Sequence, residues 1–181
     1  YNFVNGGKIT WTRSGDSGHG THVAGTVAAV NNNGIGVCGV AGGTGKGDGV
    51  RIMSCQIMSN GDSAGPATTA EAIEYAADNG ACVLQNSWGF EAGAIGNDYM
   101  FETGQTGVEI KAFEYFMKKK NCEALDGGIV IFAAGNDSKS VAGYPAAWNK
   151  LIAVTAIATI IFSSLFFKSS FFRCLMICSP F

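Results

Sequence analysis

This sequence is poor in charge. Only 14% of its 181 residues are Asp, Glu, Lys or Arg, and the formal net charge is −2. A near-neutral chain has no electrostatic basis for gripping nucleic acid or an anionic membrane. Histidine is scarcer still, with two in the whole chain, at positions 19 and 22. The six cysteines, at 38, 55, 82, 122, 174 and 178, include no Cys-x-x-Cys pair, which argues against a zinc site. Their plain reading is buried free thiols, and the even number leaves disulfides open. No signal peptide opens the chain. Because it begins at Tyr1 and not at a methionine, that absence is a weak guide to compartment.

Apolar residues and glycine, by contrast, are plentiful. An apolar fraction of 47% is enough for a core, and the length suits one domain or most of one. The 26 glycines have no collagen-like period, so they mark tight turns and places of close backbone approach.

Periodicity organises residues 1–157. "HGTHVAGTVAAV", 19–30, spaces His19, Val23, Val27 and Val30 for a short, tightly packed helix. "NNNGIGVCGVAGG" follows as a turn-rich loop. "VRIMSCQIM", 50–58, reads as a strand, and "TTAEAIEYAADNG" as a helix with capping-box spacing at Thr68 and Glu71 and a stop at Gly80. "CVLQNSWG", 82–89, is a strand ending in a small-residue turn. After a glycine-rich insert, "VEIKAFEYFMKKK" is a second helix, with lysines where the helix dipole favours cations. "GIVIFAAGN", 128–136, is a continuous apolar run of the kind buried on both faces of a sheet. Strand, helix, strand, helix, strand predicts an α/β fold with a parallel sheet covered by helices. Active groups in such sheets gather beyond the carboxyl ends of the strands. Here those ends carry "NSWG" and "AAGN".

From Leu151 the composition changes, and residues 158–181 form a separate, atypical apolar tail rich in Phe and Ser, without a clear period. Residues 151–167 barely reach the length of a membrane span, and hydroxyl side chains interrupt them. A change of reading frame or an unspliced segment accounts for this break better than a membrane anchor does.

Two motif-like stretches carry no chemistry. "GGTGKGDG" has Gly47 where a phosphate-binding loop needs Ser or Thr, and its glycines do not fit GxGxxG before a helix. His19 and His22 lack the Glu of HExxH and an obvious third ligand, so no metal is assigned to them. His19, at the start of a small-residue helix and preceded by glycine, suits a general base facing a cleft.

The residues around it resemble the subtilisin-like serine proteases, the subtilases. "HGTHVAG", 19–25, matches the His box of that family throughout. "NNNGIGVCGVAG", "VLQNSWG", "VIFAAGND" and "YPAAWNKLIAVTAI" are similar to further family segments, in the family's order. The resemblance runs from about residue 2 to 157. It implies a three-layer fold with a mostly parallel sheet flanked by helices, incomplete at both ends, and a serine endopeptidase acting on polypeptides. His19 would be the general base, and His22 would brace the helix. Asn136 would donate its amide to the oxyanion, a contribution of about 3–4 kcal/mol. Ser87, Trp88 and Gly89, with Gly135, would hold the substrate backbone and line the pocket before the cut. Asp62, Ser63 and Ala64 would form the opposite edge, so that the peptide adds as a strand.

The resemblance also implies no required cofactor. Calcium is admitted at the loop holding Val30, Asn32 and Val37. A monomer, secreted or in the cell envelope, goes with the family.

Two parts of the family pattern are missing. No GTSMAxP-like serine box occurs, and Ser163, Ser164, Ser169, Ser170 and Ser179 lack its flanking residues. No DTG-like aspartate precedes the His box, and Asp16, three residues before His19, is rejected as the triad carboxylate. Triad members act as a unit, so this chain alone is expected not to cleave peptides, leaving a peptide-binding pseudoprotease as the alternative.

Overall fold

The computed structural model describes residues 1–11, 18–59, 61–156 and the backbone of 174–179. Asp16 and most of the atypical tail lie outside these residues. The elements, in order, are α1 (His19–Ala28), β1 (Arg51–Cys55), β2 (Met58–Ser59), β3 (Asp62–Ser63), α2 (Pro66–Asp78), β4 (Val83–Ser87), α3 (Asp98–Thr103), α4 (Gly107–Lys118), β5 (Ile129–Ala133), β6 (Ile152–Val154) and β7 (Cys174–Ser179).

The architecture is α/β. β4, β5 and β6 run parallel, with Leu84 opposite Val130 and Phe132 opposite Ala153. The five-stranded sheet has the order β1-β7-β4-β5-β6, and β2 pairs with β3 in a separate antiparallel ribbon. β7 is antiparallel to both of its neighbours, with Met53 opposite Ile177 and Leu84 opposite the same residue. β1 and β4 are therefore parallel to each other, with β7 between them. The tail shows no strand period in the sequence, yet 174–179 is a central strand. An unbroken apolar run such as "CLMIC" carries no alternation by which to recognise it.

Small residues set the spacing of the helical layer. Ala70, Ala72, Ala76 and Ala77 are buried along α2 and let α4 come close. α4 answers with Ile110, Phe113 and Phe116 on one face. Phe113 meets Phe132 of β5 edge to face at 5.5 Å, and Trp148 lies 6.5 Å from the same Phe113. Aromatic pairs at these spacings add to the area they bury.

Five expectations need correcting. The capping box at Thr68 and Glu71 does not form. The helix starts two residues earlier, at Pro66, with Gly65 as its N-cap and no side-chain cap. Proline's fixed φ is already helical at the first position and carries no N–H to satisfy, so the start falls there. Gly80 does follow the helix end, at φ +87°.

β5 is not buried on both faces. Val130 and Phe132 are buried against α4, whereas Ile129 and Ile131 on the other face are half-buried and Ala133 is exposed. Nor is α1 tightly packed, because none of its residues is buried. His22 is exposed, which removes the case for its bracing the helix. Finally, the glycine-rich insert holds a helix, α3, capped by Asn97, whose side chain accepts from the Met100 amide at 2.9 Å.

Candidate active site

The carboxyl ends of β4 and β5 open into adjacent loops, and the first cavity lies between them. Ser87, Trp88, Gly89 and Phe90 form one wall; Ala133, Ala134, Gly135, Asn136 and Asp137 form the other. Five sequence-predicted site residues at or just beyond the ends of β4 and β5, 46 or more positions apart in the chain, thus meet: Ser87, Trp88 and Gly89 face Gly135 and Asn136.

Each wall is tied down. Asn86, fully buried at the end of β4, donates to the Leu84 carbonyl and, across the strands, to the Ile131 carbonyl at 3.1 Å. Its Oδ1 accepts from the Trp88 indole at 3.1 Å. Trp88 also packs edge to face on Phe132 at 5.1 Å. The Ser87 hydroxyl accepts from Gln85 at 2.8 Å. On the other wall Gly135 takes φ +103°, a backbone state that a side chain would strain. That turn leaves Asn136 exposed at the rim and directs Asp137 inward, where it accepts from the Ala92 amide at 2.7 Å.

A third segment, absent from the sequence prediction of the site, joins the two walls. The Gly143 amide donates to the Ala134 carbonyl at 3.2 Å, and the Phe90 amide donates to the Tyr144 carbonyl at 2.7 Å. A Cβ at Gly143 would collide with the Phe90 carbonyl. The Tyr144 hydroxyl donates to Asp98 at 2.6 Å, and burial together with that carboxylate pushes it up to about 12. Only the tertiary approach of three loops marks Gly143 and Tyr144 as site residues, because no local pattern does.

A second, larger cavity of about 500 Å³ adjoins the first through Trp88, Gly89 and Phe90. Ser63 and Ala64 line its far side, so the two predicted edges do face each other across it. Asp62, paired with Ser59 in the small ribbon, lines neither cavity. The Ala64 amide donates to the Ile57 carbonyl at 2.8 Å, which holds this edge in place.

His19 opens α1 and is half-buried. It lines neither cavity. Burial first, and then the neighbouring charge of His22, lower its pKa below the ordinary 6.5. The imidazole is therefore neutral at pH 7, the form that accepts a proton.

Among the described residues no group of three or more His, Cys, Asp or Glu side chains converges to hold a metal. The 30–37 loop offers amide and carbonyl oxygens, and the buried Oδ1 of Asn31 has no partner there. No carboxylate belongs to this loop, so a hard cation would need charged ligands from elsewhere. Among the described residues no helix is long and apolar enough to cross a membrane.

Comparison with known proteins agrees with this geometry. The profile of the Subtilase family, Peptidase S8, matches residues 4–171. Thermitase of Thermoactinomyces vulgaris is 34% identical over 145 residues, covering 80% of this chain and 43% of that protein. The thermophilic serine proteinase of Bacillus sp. (strain AK1) is 34% identical over 139 residues, covering 77% of this chain and 28% of that protein. Subtilisin DY of Bacillus licheniformis is 32% identical over 146 residues, covering 78% and 43%. The chain thus spans less than half the length of these relatives. With a profile covering most of its length and a cleft built at the ends of its parallel strands, the chain belongs to the subtilase family.

Proposed function

We propose that these 181 residues form the peptide-holding part of a subtilisin-like serine endopeptidase and that, as a separate polypeptide, they bind peptides without cutting them. The observation that carries this is the meeting of Ser87–Gly89 with Gly135–Asn136 around the smaller cavity, with Ser63 and Ala64 on the far side of the larger cavity that adjoins it. An extended substrate would lie between the 62–64 edge and the 87–89 edge and pair with both through its backbone. Asn136, exposed at the rim, would donate its amide to the oxygen of the attacked carbonyl. His19, neutral at pH 7, would take the proton of a serine hydroxyl and pass it to the leaving amine.

The serine and the carboxylate behind the histidine are not in recognisable motifs of this sequence, so the chemical step needs residues beyond these. A secreted or cell-envelope location and a monomeric state go with this reading. Calcium binding at Val30, Asn32 and Val37 would depend on charged ligands from outside that loop.

Fluorescence anisotropy of a labelled, acetylated nonapeptide against the purified chain tests the reading. Saturable binding without cleavage is expected. Absence of binding to any extended peptide would overturn it.

A further inference from the structure

The larger cavity has an unusual floor. Its wall is mostly apolar, with Ile57, Met58, Ala64, Trp88, Ile95 and Met100 among its lining residues. Among the described residues one ionisable side chain, Glu109, lines it. Glu109 sits in the first turn of α4 and is only 3% exposed. Among the described residues its Oε2 has no hydrogen-bond partner, and its carboxyl is bonded to Thr69 of α2.

A glutamate three residues after Thr106 has the spacing of a helix cap, which would explain it as structure alone. The cap is not made. The Thr106 hydroxyl instead donates to the Phe101 carbonyl at 2.6 Å, and Thr106 makes no side-chain cap bond. A buried carboxyl that is left half-satisfied costs stability, so a partner for it outside the chain is the natural complement.

We infer that Glu109 is a specificity-determining residue, and that the larger cavity takes a basic side chain, lysine or arginine, of a bound polypeptide. The cavity is within the size range that encloses a small organic group. The alkyl stem would lie along Ile57, Met58 and Ile95, and the cationic head would meet Oε2. Because both cavities share Trp88, Gly89 and Phe90, one extended peptide reaches both, with the basic residue at a different position from the one in the smaller cavity. Burial pushes the Glu109 carboxyl up to about 7, so a nearby cation readily turns it into the carboxylate. The inference rests on the peptide-holding reading above and names the substrate chemistry it selects.

The test is an anisotropy titration of acetylated polyalanine nonapeptides carrying one lysine, or one norleucine, at each position in turn. Norleucine matches the lysine stem without its charge. At one position lysine should bind at least tenfold tighter than norleucine. Glu109→Gln should abolish that preference. Equal binding of the two series to the unaltered chain, or a preference that survives in Glu109→Gln, overturns the inference. If no peptide binds at all, the peptide-holding reading fails, and calorimetry with n-butylammonium against 1-butanol then decides the cavity alone. A tighter ammonium that loses its advantage in Glu109→Gln supports Glu109 as a cation site, and equal affinities refute it.

Discussion

The indole of Trp88 donates to the side-chain oxygen of Asn86 at 3.1 Å, and Asn86 in turn bridges β4 to β5 through the Ile131 carbonyl. The residue that lines both cavities is therefore fastened to the two strands that position them. Asn86→Ala would remove, from a fully buried position, the bonds that tie the part-buried Ile131 carbonyl and Trp88 indole together. A loss of about 3 kcal/mol is expected, read as a lower urea midpoint at unchanged slope. Trp88→Phe, which keeps the packing on Phe132 but loses the donor, should cost only about 1 kcal/mol. If the two variants are equally stable, Asn86 does not organise this wall.

Gly143 packs without room for a side chain against the loop that follows β4. Gly143→Ala places a methyl against the Phe90 carbonyl, so either the β4 loop or the 143–148 turn must move. We predict about 2 kcal/mol of destabilisation and weaker peptide binding together. Unchanged stability by urea titration would mean that the loops yield freely and the cleft is not held by this contact.

Glu109 should give stability a pH dependence that is opposite to the common one. Its folded pKa of about 7 lies above the ordinary 4.5, so the folded state holds the proton more tightly. The group favours folding fully below pH 4.5, and that contribution is lost as pH rises from 4.5 to 7. The shift corresponds to a loss on the order of 3 kcal/mol. Urea midpoints of Glu109→Gln and the unaltered chain, measured side by side from pH 4.5 to 8, should diverge in favour of the variant. A constant difference across that range would show that the carboxyl titrates normally.

His19 runs the other way. Its folded pKa is below 6.5, so its contribution to stability is present above pH 6.5 and is lost as pH falls below that value. His19→Ala should remove this acid-side loss. In the same preparations, casein should be left intact by both proteins, because the sequence offers the histidine no recognisable nucleophile box. Casein turnover that disappears in His19→Ala would show that a serine of this chain completes the site.

Asn136 provides the contrast expected under the proposed oxyanion role. It is exposed, on the turn that follows Gly135. Asn136→Ala should change stability by less than about 0.5 kcal/mol and leave ground-state peptide binding intact. A large stability loss would assign the side chain a structural role.

Much of this was legible along the chain because it depends on near neighbours. Apolar spacing marked α2 and α4, glycine marked the end of α2, and the ordered motifs from His19 to Asn136 marked the family and both walls of the cleft. The rest depends on which distant groups come together. α3 hid in a glycine-rich stretch until Asn97 capped it, and α1 proved half-exposed despite its small apolar residues. The strand at 174–179 has no alternation to betray it and is defined only by its partners β1 and β4. Gly143 matters through the Phe90 carbonyl, more than 50 residues away in sequence, and Glu109 through Thr69 and a cavity walled by four other segments. Sequence determined the local periods and the chemical groups, since these follow from backbone geometry and side-chain type. Tertiary structure alone decided burial and contact, since desolvation and hydrogen bonding depend on what surrounds each group in space.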